Sequence, residues 1–187
     1  MTTVAPIKTE RLILRQWKPE DVPQFVAMNE DPEVMKYFPG ALSPQQSEGW
    51  AENCRQMLER QGWGLWAIEI QSTGEFIGFV GLHAPTIDLP FNPCVEIGWR
   101  LKSSAWGRGF ATEAARACVD YGFSVVGLTE IVSFTSVVNT PSSAVMERLA
   151  MKRDPATFEH PSVPAGHVLR EHCIYRISAS DWLSTKH

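Results

Sequence analysis

Cysteine is scarce and scattered: the 187-residue chain holds four, at positions 54, 94, 118 and 173, with no C-x-x-C pair. That spacing argues against structural zinc and against a disulfide framework, and points to reduced thiols. No run of about 18 apolar residues occurs, so no membrane-spanning helix is expected. Met1 to Pro6 lack the apolar core of a secretion signal, and a cytoplasmic location is the expectation. No stretch of Lys and Arg exceeds two residues, and the formal net charge is −4. A nucleic-acid partner normally demands a basic face, so none is expected. Internal repeats and low-complexity tracts are also missing.

What the chain does have is a core. Its hydrophobic fraction of 44% and charged fraction of 20% are those of a globular protein, with seven Trp and nine Phe. The length suits one domain spanning residues 1–187. Arg11 to Trp17 reads as a first strand, and Pro19-Glu20-Asp21 as a helix entry with acids at the positive end. Ser43-Pro44 caps a second helix running to about Arg60, where Trp50, Cys54, Met57 and Leu58 form a stripe and Gly62 ends it. Trp63 to Ile70 and Phe76 to His83 read as strands of a hairpin. The proline-rich stretch from Ala84 to Pro93 reads as a loop.

On the next strand, Cys94 to Leu101, Val95, Ile97, Trp99 and Leu101 share one face, and Cys94, Glu96, Gly98 and Arg100 the other. A helix from about Gly109 to Val125, a strand from Thr129 to Thr135, a short helix from Pro141 to Leu149 and a strand from Val168 to Ile177 complete the pattern. Pro155 to Gly166 reads as a loop. This order of elements predicts a mixed α/β sheet with helices on both faces rather than an all-parallel one.

The chemistry is expected where the strand ending at Leu101 passes to the helix starting near Gly109. Gly107 and Gly109 let the backbone approach a ligand, and the first helical turn presents unpaired N–H groups at the positive end of the helix dipole. Arg108 and Thr112 add side-chain donors. An ordinary turn has the same composition. No Gly-Lys-Ser/Thr follows, and no third glycine stands at the dinucleotide-fold spacing, so a nucleoside triphosphate or NAD is disfavoured.

Three segments taken together, Glu96-Ile97-Gly98-Trp99, Ala105 to Ala114 and Asn139-Thr140-Pro141-Ser142-Ser143, closely resemble the GNAT superfamily of N-acetyltransferases. The opening Thr9 to Arg15 and the element order resemble its RimJ/RimL-type branch, and the likeness runs from Thr9 to Trp182. The resemblance implies a GNAT-like fold: a central, mostly antiparallel twisted sheet splayed between two strands. It also implies acetyl transfer from acetyl-CoA to a primary amine, on a peptide N-terminus or a small molecule, by direct attack in a ternary complex. The pyrophosphate would lie on the Trp106-to-Thr112 loop, on the backbone amides of Arg108, Gly109, Ala111 and Thr112, with Gly107 in the same turn. Trp106 stands where many relatives carry Gln or Arg. The backbone of Trp99 and Leu101 would pair with the pantetheine arm, and Asn139 and Ser142 would contact it.

An attacking amine must be neutral, although a free alkyl ammonium has a pKa near ~10, so some group takes its proton. Glu96 is the first candidate for that base, against a purely structural carboxylate; His83 is its rival. The leaving thiolate needs a proton or a partner. Many relatives place a Tyr seven residues after the motif Asn, where this chain has Met146. Ser142 then becomes the candidate acid, with helix capping as its alternative role. A backbone N–H in the Gly98 region would polarise the carbonyl. Met146 also motivates a second reading, a CoA-binding sensor or partner module without catalysis.

His160, His167 and His172 form no helical i, i+4 pair and are separated by Pro and Gly, so no metal is expected. His172 and Cys173 would point to opposite faces of a strand and cannot form a dyad. Trp17, Phe38, Trp50, Trp66 and His83 are candidates for an acceptor cleft, with the core as their alternative home. The sequence carries no clean interface signal; a homodimer is compatible with it.

Overall fold

The computed structural model describes residues 4–185. Its centre is an eight-stranded sheet: β1 (Ile7–Lys8), β2 (Leu12–Arg15), β3 (Leu65–Ile70), β4 (Phe76–His83), β5 (Glu96–Leu101), β6 (Glu130–Ser136), β7 (Lys152–Glu159) and β8 (Glu171–Ser178). The strands lie in the order β1-β2-β3-β4-β5-β6-β8-β7. Every neighbouring pair is antiparallel except β5 and β6, which run parallel and touch in register only at Glu96↔Val132. Beyond that point the two strands splay apart. The fold is thus the mixed, mostly antiparallel sheet expected of a GNAT-like protein.

Among the described residues five α-helices pack on this sheet: α1 (Asp21–Glu30), α2 (Pro44–Gln61), α3 (Phe110–Tyr121), α4 (Thr140–Arg148) and α5 (Ala179–Ser184). Helix α2 begins where Ser43-Pro44 predicts. Ser43 Oγ accepts from the Gln46 N–H, Gln46 Oε1 accepts from the Ser43 N–H, and Gly62 closes the helix at φ +79°. This reciprocal bonding satisfies two end groups that would otherwise need water. The stripe on α2 divides between two duties. Ala51, Cys54 and Leu58 are buried, while Trp50 packs against Phe25 and Phe79 at centroid distances of 5.0 and 4.5 Å and also reaches the cleft.

The entry to α1 is more than acids near a dipole. Asp21 is 2% exposed and accepts both arms of the Arg15 guanidinium at 2.7 and 2.9 Å, while Arg15 Nε–H donates to Glu69 at 2.6 Å. A bidentate pair of this kind ties the start of α1 to β2 and β3.

Three boundaries differ most from the expectation, and two short elements are added. The residues read as a loop from Pro155 include the second half of β7, which pairs with β8 from Lys152↔Arg176 to Glu159↔Glu171 with an irregularity between Arg153 and Thr157. As an edge strand it is largely exposed, so it shows no alternation, and Pro155 sits where the ladder is interrupted. The last strand starts at Glu171, since His167–Arg170 form a turn closed by Arg170 N–H on the His167 carbonyl. Helix α3 ends at Tyr121, and Gly122–Val126 continue as a π-helical turn. Helix α5, capped by Ser178 and anchored by Trp182 at 2% exposure, and the short β1 are additions.

Candidate active site

The splay between β5 and β6 opens a cleft of about 1590 Å³ that collects most of the residues singled out in the sequence. Backbone parity decides what β5 offers to it. The Lys102 N–H bonds to Ile77 on β4, whereas the Val95 carbonyl accepts from Val132 on β6. Alternate residues therefore face alternate neighbours. Glu96, Gly98 and Arg100 turn their backbone groups toward β4; Ile97, Trp99 and Leu101 turn theirs toward β6. Ile97 is held there, its carbonyl accepting from the buried Ser133 hydroxyl at 2.9 Å. Past it, the Trp99 N–H and C=O and the Leu101 N–H look into the gap. The Leu101 carbonyl is engaged by Trp106 Nε1–H at 3.0 Å, so what Leu101 offers is its N–H. Gly98 is paired with Gly81 of β4, so the N–H on the open side near it belongs to Trp99, not to Gly98.

The glycine loop adopts the conformation its composition allows. Gly107 and Gly109 have φ of +70° and +77°, and Gly109 is the N-cap of α3 with no side-chain cap. By contrast α2, α4 and α5 each start with a capping side chain. The first-turn N–H groups of Phe110, Ala111 and Thr112 thus face the cleft, where an anion would complete them.

Two residues without any local sequence signal hold this turn. Arg11 Nη1–H donates to the Arg108 carbonyl at 2.9 Å, and its guanidinium lies 4.6 Å from the Phe110 ring centroid. Arg11 also pairs with Glu113 at 2.6 Å, and Glu113 accepts from the Thr9 hydroxyl at 2.6 Å and from the Arg11 N–H at 2.8 Å. Burial would raise the Glu113 carboxyl, but these donors and the Arg11 charge hold it below the usual range. The Arg108 guanidinium stacks on the same Phe110 ring at 4.5 Å, while its backbone stays in the turn. Trp106 is 47% exposed.

On the far side of the gap, Asn139 is the N-cap of α4. Its Oδ1 accepts from the Ser142 N–H at 3.3 Å and its Nδ2–H donates to Thr135 Oγ1 at 2.8 Å. Asn139 and Ser142 both line the cleft, as do Trp99, Gly107, Gly109, Ala111 and Thr112. Met146 also lines it but is 1% exposed and belongs to the core. No hydroxyl stands in its place.

The two rival bases are partners. His83 and Glu96 lie directly opposite on β4 and β5, and His83 Nε2 is 3.0 Å from Glu96 Oε2. The other carboxylate oxygen, Oε1, overhangs Gly98, 3.9 Å from where a Cβ would be. Of the five aromatic and histidine candidates for the acceptor wall, Phe38, Trp50 and His83 line the cleft. Trp17 and Trp66, at 4% and 0% exposure, are core residues; Trp17 donates its indole N–H to the Leu65 carbonyl.

A second wall is formed by Phe134, His160 and His172, with the two imidazole centroids 4.7 Å apart. Cys173 points inward and is 1% exposed, on the opposite face from His172. Among the described residues no three His, Cys, Asp or Glu side chains converge as a metal site would need, and no helix is long and apolar enough to cross a membrane.

Burial pushes His172 down to about 4 from 6.5, opposed by a bond with the Arg170 carbonyl and reinforced by His160, which burial also lowers. Between those two values the unfolded chain binds the proton more readily than the folded one. The contribution is therefore complete above pH 6.5 and is lost as pH falls toward 4. The urea midpoint should drop over that window, and His172→Gln should flatten the drop; an equal slope in both proteins would contradict this.

Residues 11–152 match the acetyltransferase (GNAT) domain family. The uncharacterized N-acetyltransferase p20 of Bacillus licheniformis is 34% identical over 151 residues, covering 78% of this chain and 82% of that protein. The FsC-acetyl coenzyme A-N(2)-transacetylase of Aspergillus fumigatus is 30% identical over 162 residues, covering 82% of this chain and 67% of its own length. Among solved structures, an acetyltransferase from Agrobacterium tumefaciens superposes with a TM-score of 0.76 at 29% identity, over 95% of this chain and 96% of the other.

Proposed function

We propose that this chain, which belongs to the GNAT acetyltransferase family, transfers an acetyl group from acetyl-CoA to a primary amine by direct attack within a ternary complex. The observation that carries the reading is the junction of two unfilled backbone surfaces: the free edge of β5 and the uncapped start of α3. One is an extended row of donors and acceptors suited to an amide-bearing arm; the other is an anion site suited to a pyrophosphate. The p20 protein and the FsC transacetylase, named for N-acetyl transfer and for acetyl coenzyme A, support the same chemistry.

In this reading the amides of Arg108, Gly109, Ala111 and Thr112 hold the pyrophosphate, and Gly107 shapes their turn. Trp106 keeps the loop closed on Leu101 through its indole. The Trp99 backbone and the Leu101 N–H pair with the pantetheine arm, and Asn139 orients the start of α4 beside it. When bound, acetyl-CoA supplies an activated thioester carbonyl. Glu96 takes the proton of the incoming amine through Oε1, directly or through one water, while His83 holds Oε2. With the imidazole proton placed on Nε2, that hydrogen bond orients the carboxylate and leaves it anionic. The Trp99 N–H, on the open side of β5, is the candidate donor for polarising the carbonyl, which leaves the Trp99 carbonyl and the Leu101 N–H for the arm. Ser142, facing the cleft from the first turn of α4, donates to the leaving sulfur.

The acceptor is a peptide N-terminal amine, as the RimJ/RimL-like opening segment suggests, or a small-molecule amine. Buried Met146, in place of the Tyr of many relatives, favours a second reading as a CoA-binding module without turnover.

Thermal unfolding with acetyl-CoA, ATP and NAD separates these readings. At about 100-fold excess over Kd, acetyl-CoA should raise Tm by on the order of 5–10 °C, and ATP and NAD should not. Thiol release across a panel of amines then reports turnover. An absent acetyl-CoA shift would end the main reading; a shift with no thiol release would leave the binding module.

A further inference from the structure

Arg100 is a half-buried cation in the wall of the cleft, with no anion beside it among the described residues. It lies on the same face of β5 as Glu96, with only Gly98 between them, and all three line the cleft. Its one hydrogen bond among the described residues runs from Nη1–H to Asn29 Oδ1 at 2.7 Å. Its Nε is buried with no partner. Asn29 is in turn held by donating to Ser47, and both are fully buried, so the guanidinium is presented from a fixed platform. Aromatic faces flank it, Phe38 at 4.2 Å and Phe79 at 5.6 Å.

No carboxylate pairs with Arg100 among the described residues. Asp31, two residues beyond Asn29, is engaged by the Ser103 hydroxyl at 2.8 Å. The group closest in electrostatic terms is the Cys54 thiol, which burial pushes upward and keeps neutral. Burial likewise pulls Arg100 down to about 10, which still leaves it a cation at neutral pH. An uncompensated charge held partly out of water is costly, and stacking on Phe rings offsets only part of the cost. A guanidinium fork with unused N–H groups matches a carboxylate.

We infer that Arg100 is the anchor for a carboxylate carried by the acceptor, so that the acceptor is an amine bearing an anionic group at its other end. The proposal rests on the acetyl-transfer reading, since it sets the amine at Glu96 and the anion at Arg100. Strand geometry separates those two Cα atoms by roughly 13 Å, and their side chains reach toward the shared space over Gly98. Amine and carboxylate are therefore several bonds apart, not on one carbon. The bare Gly98 leaves room for the connecting chain, because a Cβ there would meet nothing but Glu96 Oε1 at 3.9 Å.

The test compares 4-aminobutyrate, 5-aminovalerate and 6-aminohexanoate with their carboxamides as acceptors. In the native protein the carboxylates should exceed the amides by on the order of 10- to 100-fold in kcat/KM, mostly through KM. Arg100→Met, which keeps the stem over Phe38, should bring the carboxylates down to the amides; Arg100→Lys should retain part of the preference. Equal use of acids and amides by the native protein would overturn the assignment, whether or not either variant folds. Calorimetry of 5-aminovalerate against 5-aminovaleramide, on the native protein with CoA, decides the anion site independently of turnover. Selective binding of the acid without acetylation of any amine would uphold the anchor and sink the transfer reading. Equal or absent binding of both, with acetylation of other amines, would do the reverse.

Discussion

Glu96→Gln is expected to lower turnover by about 10²- to 10⁴-fold, the usual worth of a positioned proton acceptor, while acetyl-CoA binding survives. The substitution keeps the shape of the side chain and leaves an amide oxygen able to accept from His83, 3.0 Å away in the native pair. What it removes is the basicity of Oε1 over Gly98. Binding should persist because Glu96 turns its backbone to β4, and the β5 groups assigned to the arm belong to Trp99 and Leu101. The pH dependence separates chemistry from damage. An alkyl amine loses its own proton near pH ~10, so the base becomes less necessary as pH rises toward that value. The deficit of the variant should therefore be widest near neutral pH and narrow in alkali. A uniform deficit at every pH would indicate a structural carboxylate, and full activity at every pH would remove Glu96 from the mechanism. Since His83 acts by holding Glu96, His83→Asn should cost less and leave the same pH trend.

The pairing of His83 with Glu96 shows where sequence reading stops. Each residue is placed on its strand, and on the correct face, by simple alternation. Whether they meet depends on the β4–β5 register, and the thirteen-proline chain bridges these strands with a long loop whose length does not set it. Local signals did well wherever a terminus is built from adjacent residues. Ser43-Pro44 and Gly62 delimit α2, and Gly107 and Gly109 mark the turn before α3; at α4 the capping side chain is Asn139 rather than Ser142, whose N–H it accepts from. They failed where the partner is remote. Arg11 and Glu113 meet across 102 positions of sequence, and nothing near either one announces the contact. The same holds for Arg15, whose partner Glu69 lies 54 positions away. Strand β7 was hidden for a different reason: an exposed edge has no buried face, so it needs no alternation and tolerates Pro155. Arg100 was legible as a polar position on the Glu96 face. Its isolation from any carboxylate emerges only once the packing around it is known.

Gly109→Val should cut acetyl-CoA affinity by about 10²- to 10⁴-fold, for a reason that does not depend on side-chain contact. Gly109 has φ +77°, and an added Cβ would meet only Arg11 Nη2, at an ordinary 3.5 Å. Space is available; the backbone angle is the obstacle. A branched L-residue held in that region is strained by roughly 1–2 kcal/mol, and the loop relieves it by turning away. The N–H groups of Gly109, Ala111 and Thr112 then no longer converge with that of Arg108. Losing two hydrogen bonds to a charged group, at about 1.5–3 kcal/mol each, accounts for the expected loss. Gly74 supplies the control. It has φ +71° at the β3–β4 hairpin, with nothing within 4 Å of an added Cβ, and it does not line the cleft. Gly74→Val therefore introduces the same strain without touching the anion site. Both variants should lose comparable stability in urea, and only Gly109→Val should lose acetyl-CoA binding by calorimetry. If Gly74→Val weakened binding equally, the defect would be one of general stability, and the loop before α3 would lose its assigned role.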